Sequence, residues 1–179
     1  MKIEFPQFPE KPIFVAYFDG LDSTVLATVK VQLLRRNDDY DYCFLSTTHL
    51  VSFQQLRSSL YTAVRNLKQD TMRTSSVNTE IIFSLSPVNN INDSLKRFGI
   101  DETRSDIVVV KVCSSEEDMD EIEKRVENLL GTSLSVLSDE VLFGRFDASK
   151  FRKLFKLQGV ETQADLTQGA TESSLLSGL

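Results

Sequence analysis

Four stretches of the chain carry the β-branched and aromatic residues that favour strands. They cover residues 12–18, 41–47, 80–86 and 106–113, and turn or polar residues bound each of them. The last three are apolar enough to be central strands. Because helical stretches lie between them, the pattern predicts an α/β (α+β) fold, with a small central mixed or antiparallel sheet of about four strands flanked by several helices.

Apolar residues at spacings of three and four predict the helices. The strongest pattern covers residues 52–67, and a broader apolar side follows residues 21–35. An acidic stretch opens a further amphipathic period over residues 116–130. Two shorter helices are predicted at 138–145 and 147–156.

The helix with the clearest end signals lies within residues 89–100. Asn90 is placed to cap its first turn, and Asp93 suits the positive end of the helix dipole. We expect Gly99 to end the helix in the left-handed conformation, with Ile100 supplying the apolar contact of a Schellman motif.

A chain of 179 residues suits one domain with a short tail. We expect residues 1–157 to form a single globular domain. Residues 158–179 are rich in glycine, serine and threonine, which predicts a weakly helical or partner-dependent tail. Cys43 and Cys113 lie in apolar stretches and indicate reduced thiols of an intracellular protein. No apolar run approaches the ~20 residues that cross a bilayer, so we expect no membrane association.

The distribution of charge is more informative than its total. A net charge of −6 argues against a nucleic-acid binder driven by bulk charge. Basic residues nevertheless outnumber acidic ones within residues 57–97 and 145–156. Such separation of charge favours a directional binding surface.

The sequence contains no recognisable catalytic constellation. His49 is the only histidine, and nothing near it in the sequence supplies an orienting partner. The scattered glycines form no phosphate-binding loop, and one histidine with two cysteines gives no zinc signature. The carboxylates of residues 116–123 fit a solvated helix start better than a metal site. We therefore expect no catalytic residue, cofactor or metal, with a small enzyme using His49 as the alternative.

Two segments suggest binding. Residues 71–80 are crowded with hydroxyls, an amide and one arginine, donors that suit phosphate oxygens or nucleotide edges, although they also suit turns and caps. Phe151, Leu154 and Phe155 share one side of a predicted helix beside three lysines. Helical spacing of this kind occurs both in cores and in docking helices.

An ordered set of motifs resembles a known family, the small kinase-binding subunit of the KEOPS/EKC complex, also called the PRPK-binding protein family. The matching segments are residues 6–9, 72–74, 78–87, 89–91, 95–100 and 152–157. No single segment is specific, but their order is. The resemblance covers most of residues 1–157 and suggests a fungal member.

The resemblance implies a non-catalytic subunit that binds the PRPK-like kinase/ATPase of the complex and contacts the remaining subunits indirectly. It also implies help in presenting tRNA, through its 3′ CCA end, for N6-threonylcarbamoyladenosine modification next to the anticodon. Telomere maintenance, transcription, and a location in nucleus and cytoplasm are further implications. A free-standing RNA-binding domain is the alternative that the residues themselves leave open.

The resemblance also suggests which residues bind. Leu154 falls in the segment similar to the kinase-docking part of the family, with Phe151, Phe155 and Lys153 as neighbouring candidates. Insertion of Leu154 into the small lobe of the kinase predicts an exposed apolar ridge edged by lysines. The candidates for tRNA are Arg73, Asn89, Asn90, Lys96 and Arg97.

Overall fold

A computed structural model describes residues 1–159 and 162–177. Its four-stranded sheet has the order β1-β2-β4-β3, and every neighbouring pair is antiparallel. The strands are β1 (Lys2–Ile3), β2 (Ile13–Phe18), β3 (Cys43–Leu45) and β4 (Ile107–Val112). The central pair, β2 and β4, runs in register from Ile13 opposite Val112 to Phe18 opposite Ile107.

Eight α-helices lie within the described ranges, together with a short 3₁₀ helix at Asp38–Tyr40. The helices are α1 (Ser23–Leu34), α2 (Phe53–Lys68), α3 (Val77–Leu85), α4 (Ile91–Phe98), α5 (Met119–Leu130), α6 (Asp139–Arg145), α7 (Ala148–Phe155) and α8 (Gln163–Ser177). No helix in this part of the chain is both long and apolar enough to cross a membrane.

The sheet is buried on both faces, which explains why β2 is apolar at every position. Successive side chains of a strand point to opposite faces. Val15 and Tyr17 therefore join one core with residues of α2, α3, α7 and α8, whereas Phe14 and Ala16 join a second core with residues of α1 and α5. The fold is thus α+β, as the sequence predicts, with the sheet between two layers of helices.

One predicted strand is a helix. The sequence predicts residues 80–86 in the sheet, but residues 80–85 belong to α3, which begins after Ser76, and Ser86 is its C-cap. The Ser76 side chain caps the helix by accepting a hydrogen bond from the Thr79 amide at 3.2 Å. Because residues 80–85 are all buried, the segment has no polar face to reveal its period. The fourth strand is instead the short β1.

The ends of α4 show one success and one correction. Asn90 caps the helix as predicted, accepting from the Asp93 amide at 3.0 Å. Gly99 does not adopt the left-handed conformation, since its φ and ψ are −76° and −169°. A Cβ atom at Gly99 would lie 2.4 Å from the carbonyl oxygen of Leu95, so close approach explains the glycine.

The C-terminal segment packs on the body of the protein in its described part. Helix α8 lies against α2, α3 and α7, and it adds Leu166 and Ala170 to the core. The predicted tail also includes residues 160, 161, 178 and 179, which lie outside the described residues.

Candidate partner-binding surfaces

Helix α7 carries the predicted kinase-binding residues. Asp147 begins the helix by accepting a hydrogen bond from the Lys150 amide at 3.0 Å, and the amide of Asp147 donates to the Thr48 carbonyl at 2.9 Å. These two bonds fix how α7 leaves the preceding chain. The spacing of Phe151, Leu154 and Phe155 then places all three side chains on one side.

That apolar side faces the protein's own core. Phe151, Leu154 and Phe155 are only 0%, 8% and 3% exposed. The ring centroids of Phe151 and Phe155 are 4.7 Å apart, and Phe155 packs edge-on against Phe98 at 6.4 Å. The expected exposed ridge is therefore wrong, because α7 needs these side chains to join the fold. A role for them in kinase binding stays a prediction.

The lysines of α7 are at the surface. Lys150, Lys153 and Lys156 are all exposed, and Lys156 ends the helix in the left-handed conformation with φ of 55°. Of the four residues predicted to bind the kinase, Lys153 is thus the one that a partner can reach directly.

Helix α8 presents apolar surface that the sequence analysis missed. Leu175 and Leu176 are 52% and 66% exposed near the end of the helix. The only sequence signal was a pair of leucines in a stretch dominated by small and polar residues. Helix α8 packs against α7, and Leu175 lies beside α2 and α3.

Arg73 is held by a buried carboxylate. Glu80 is fully buried and accepts hydrogen bonds from the backbone amides of Arg73 and Thr74, at 3.1 and 3.0 Å. The Asn66 amide group adds a bond of 3.0 Å. The Arg73 guanidinium lies 4.3 Å from the ring centre of Phe83, and its Nε is 3.7 Å from Glu80 Oε1. Arg73 therefore stabilises the loop before α3 and is only partly available to RNA.

The other predicted RNA residues lie at or just before α4. Asn89, Asn90, Lys96 and Arg97 are all exposed. The Asn90 side-chain oxygen is used in capping, which leaves its amide nitrogen for a partner. The structure thus brings these four residues together on one short helix and its approach.

A groove of about 1150 Å³ runs beside α4. Lys96 is the only predicted RNA residue that lines it. Its other walls come from the end of α1, from the 3₁₀ helix, from the start of α3 and from the loop after α4. Besides Lys96 the basic lining residues are Lys30 and Arg36, and Lys30 pairs with Glu102 at 3.1 Å. The acidic lining residues are Asp38, Asp41, Asp101 and Glu102. Sequence reasoning singled out residues 71–80 but had no signal that Lys30 of α1 and Arg36, just after that helix, reach the same groove.

His49 is a packed histidine. It is 5% exposed, its Nδ1 donates to the Arg97 carbonyl oxygen over 3.0 Å, and its ring lies 5.4 Å from that of Phe98. Burial lowers the pKa of His49, so the neutral ring is favoured. Burial likewise raises the pKa of the Cys43 thiol, which disfavours a reactive thiolate.

The antiparallel sheet between two helical layers defines an α+β protein, and its exposed lysines, leucines and polar groove are candidate binding surfaces. Comparison with known families is specific: residues 22–178 match the family described as Kinase binding protein CGI-121. The chain belongs to this family.

Fungal relatives agree with the family match. A Debaryomyces hansenii protein named EKC/KEOPS complex subunit CGI121 is 38% identical, over 92% of this chain and 87% of its own length. Proteins of the same name from Candida albicans and Yarrowia lipolytica are 34% and 32% identical, over 98% and 94% of this chain. They are covered over 97% and 93% of their own lengths.

Proposed function

We propose that this chain is a non-catalytic subunit of an EKC/KEOPS complex and binds the kinase/ATPase subunit of that complex. The match of residues 22–178 to a kinase-binding family carries the proposal. The names of the fungal relatives support it, because the similarity extends over nearly the whole chain.

The kinase-binding surface that we propose combines the lysine side of α7 with the end of α8. Lys153 contacts the kinase directly, and Leu175 and Leu176 supply apolar contact area. In this proposal Phe151, Leu154 and Phe155 contribute indirectly, because their packing in the core fixes the position of α7. Exposed apolar groups beside basic ones are a common composition for a docking surface.

A titration of the purified kinase against variants of the full chain tests this surface. Leu175→Glu with Leu176→Glu places two charges in the proposed apolar contact, so we expect binding to weaken at least tenfold. Leu34→Glu is the matched control, since Leu34 is 79% exposed on α1. If the double variant binds the kinase as tightly as the control, the surface is wrong. Leu154→Glu is unsuitable, because it would bury a charge and disturb folding.

We also propose that the protein helps to recruit tRNA through its 3′ CCA end for N6-threonylcarbamoyladenosine modification. The exposed cations and amides at α4 support this, because cations can neutralise phosphates while amides meet bases and sugars of a single strand. The acidic side chains that also line the groove weaken its attraction for phosphates. Lys96 lines the groove, and Arg97, Asn89 and Asn90 lie at or near it. With a net charge of −6, affinity should be modest and fall with salt.

Gel-shift assays with intact tRNA and with tRNA lacking its CCA end test this part. We expect intact tRNA to bind more tightly, and Lys96→Glu to abolish the difference. Lys124→Glu, which changes an exposed lysine on α5, is the control. Equal binding of the two tRNAs would contradict end recognition, and tight binding without any partner protein would favour a free-standing RNA-binding domain. Roles at telomeres and in transcription, in nucleus and cytoplasm, belong to the same proposal.

A further inference from the structure

Helix α8 docks through hydroxyl groups as well as apolar ones. Ser52 Oγ and Thr167 Oγ1 lie 2.5 Å apart at one end of the helix, and Ser174 Oγ donates to the Leu85 carbonyl at 2.8 Å near the other. Among the described side chains of α8, the buried apolar ones are Leu166 and Ala170. The interface therefore combines hydroxyl contacts towards its two ends with two buried apolar residues between them.

A small cavity of about 10 Å³ interrupts this interface between α2, α3 and α8. Most of its walls are hydroxyl-bearing side chains. The lining comprises Gln55, Ser58, Ser59, Thr62, Ser84, Leu85, Thr171, Ser174 and Leu175. A volume of this size is roughly that which one water molecule requires.

Two hydroxyls that line the cavity have no protein partner. Ser84 Oγ and Thr171 Oγ1 are both buried and make no hydrogen bond within the described residues. Ser84 as a whole is 7% exposed. A buried hydroxyl without a partner is costly, and buried waters commonly satisfy such groups. Ser59 donates its hydroxyl proton to the Leu56 carbonyl, so its oxygen can still accept a bond from a water.

We propose that one ordered water occupies this cavity and bridges Ser84 to Thr171, and that α8 docks through the resulting hydrated seam as a unit that opens on its own. The seam supplies hydrogen bonds beside the apolar burial of Leu166 and Ala170, so detaching α8 exposes less apolar surface than unfolding the whole chain. The glycine, serine and threonine content of α8 also gives the free helix a low intrinsic stability. Such segments open locally without global unfolding.

Hydrogen exchange measured by mass spectrometry on the full chain tests the opening. We expect amides of α8 to exchange at least about tenfold faster than those in the middle of α2, because local opening requires less free energy than global unfolding. Equal exchange rates in the two helices would overturn independent opening.

Thr171→Val tests whether the water is present, because the substitution should speed hydrogen exchange in α8 if the water is there and should not speed it if the cavity is dry. Valine has the same shape but removes a bond to the water, so we expect exchange in α8 to accelerate about fivefold. If the cavity is dry, valine removes an unsatisfied hydroxyl and exchange slows or stays unchanged, which overturns the proposal. Thr28→Val, on α1, is the matched control and should leave α8 unchanged. A crystal structure of the full chain with an empty cavity at a resolution that shows ordered waters would also overturn it.

Discussion

Helices α2 and α8 pack against each other and are nearly equal in length, with 16 and 15 residues, yet they are held in different ways. Helix α2 buries Leu56, Leu60, Ala63 and Val64 along one side. Helix α8 relies on hydroxyl contacts and few buried apolar groups. We therefore expect α8 to be less firmly anchored than α2, because the free energy of docking rises with the apolar area that is buried.

The largest expected effect comes from cutting into the apolar side of α2. Leu60 is fully buried, so Leu60→Ala should lower the free energy of unfolding by about 2–5 kcal/mol. Urea denaturation followed by circular dichroism measures the change. Arg65→Ala, a half-buried position on the same helix, should cost much less. If Leu60→Ala lowers the free energy of unfolding no more than Arg65→Ala does, the apolar side of α2 is not what anchors that helix.

The matching change in α8 should have a smaller global effect. Leu166 is also fully buried, but if α8 opens as a unit, Leu166→Ala mainly raises the population of the opened state. We expect hydrogen-exchange protection to be lost across α8 while the urea midpoint changes by less than half the shift of Leu60→Ala. A midpoint shift as large as that of Leu60→Ala would mean that α8 and α2 unfold together.

Ser52 lies where the two helices meet, so its loss should affect both. Its hydroxyl caps α2 by accepting from the Gln55 amide at 3.2 Å, and it contacts Thr167 of α8. Ser52→Ala should cost about 1 kcal/mol of global stability. Thr167→Val removes the contact with Ser52 and the Thr167 bond to the Gln163 carbonyl within α8, but leaves the cap of α2 intact. It should therefore change exchange in α8 but leave the urea midpoint close to wild type. Equal midpoint shifts in the two variants would argue against the capping role.

The smallest effect near neutral pH comes from His49, whose backbone carbonyl accepts a hydrogen bond from Gln55 of α2 at 2.9 Å. Burial lowers the pKa of His49 in the folded state, so the unfolded chain takes up the proton first. Stability should therefore be complete above the unfolded-state pKa, near 6.5, and decline as the pH falls below it. Between pH 7.5 and pH 5, the urea midpoint of His49→Gln should fall less than that of the wild type. If the two midpoints fall equally, groups other than His49 cause the loss of stability.

Local signals in the sequence account for much of the fold. The stripe of α2 and the Asn90 cap depend on residues three or four positions apart, so they are visible in the sequence. Helix α3 was not predicted, because a segment that is buried on all sides shows neither the 3.6-residue period of an amphipathic helix nor the two-residue period of a half-buried strand. Its start depends on the Ser76 cap, and Glu80 holds the loop before it, contacts that a list of apolar positions does not reveal.

For the candidate binding surfaces, too, the sequence reveals local features but not the contacts between distant parts of the chain. The sequence correctly placed Lys153 and Lys96 at the surface, because lysines at those helical positions have no partner in the core. The sequence could not decide whether Phe151 and Leu154 face a partner or the protein's own interior, because a docking helix and a core helix show the same spacing of apolar residues. The groove joins Lys30 of α1 to Lys96 of α4, and only the folded chain brings such distant positions together.

The buried carboxylate of Glu80 has a consequence for how this surface can vary. It accepts hydrogen bonds from the backbone amides of Arg73 and Thr74, so a buried side chain fixes the path of the loop. Ser75, which points to solvent in the next position, is free to change without altering that path. Evolution or a designer can therefore retune the charge at the rim of the groove one substitution at a time, while the scaffold beneath it stays the same.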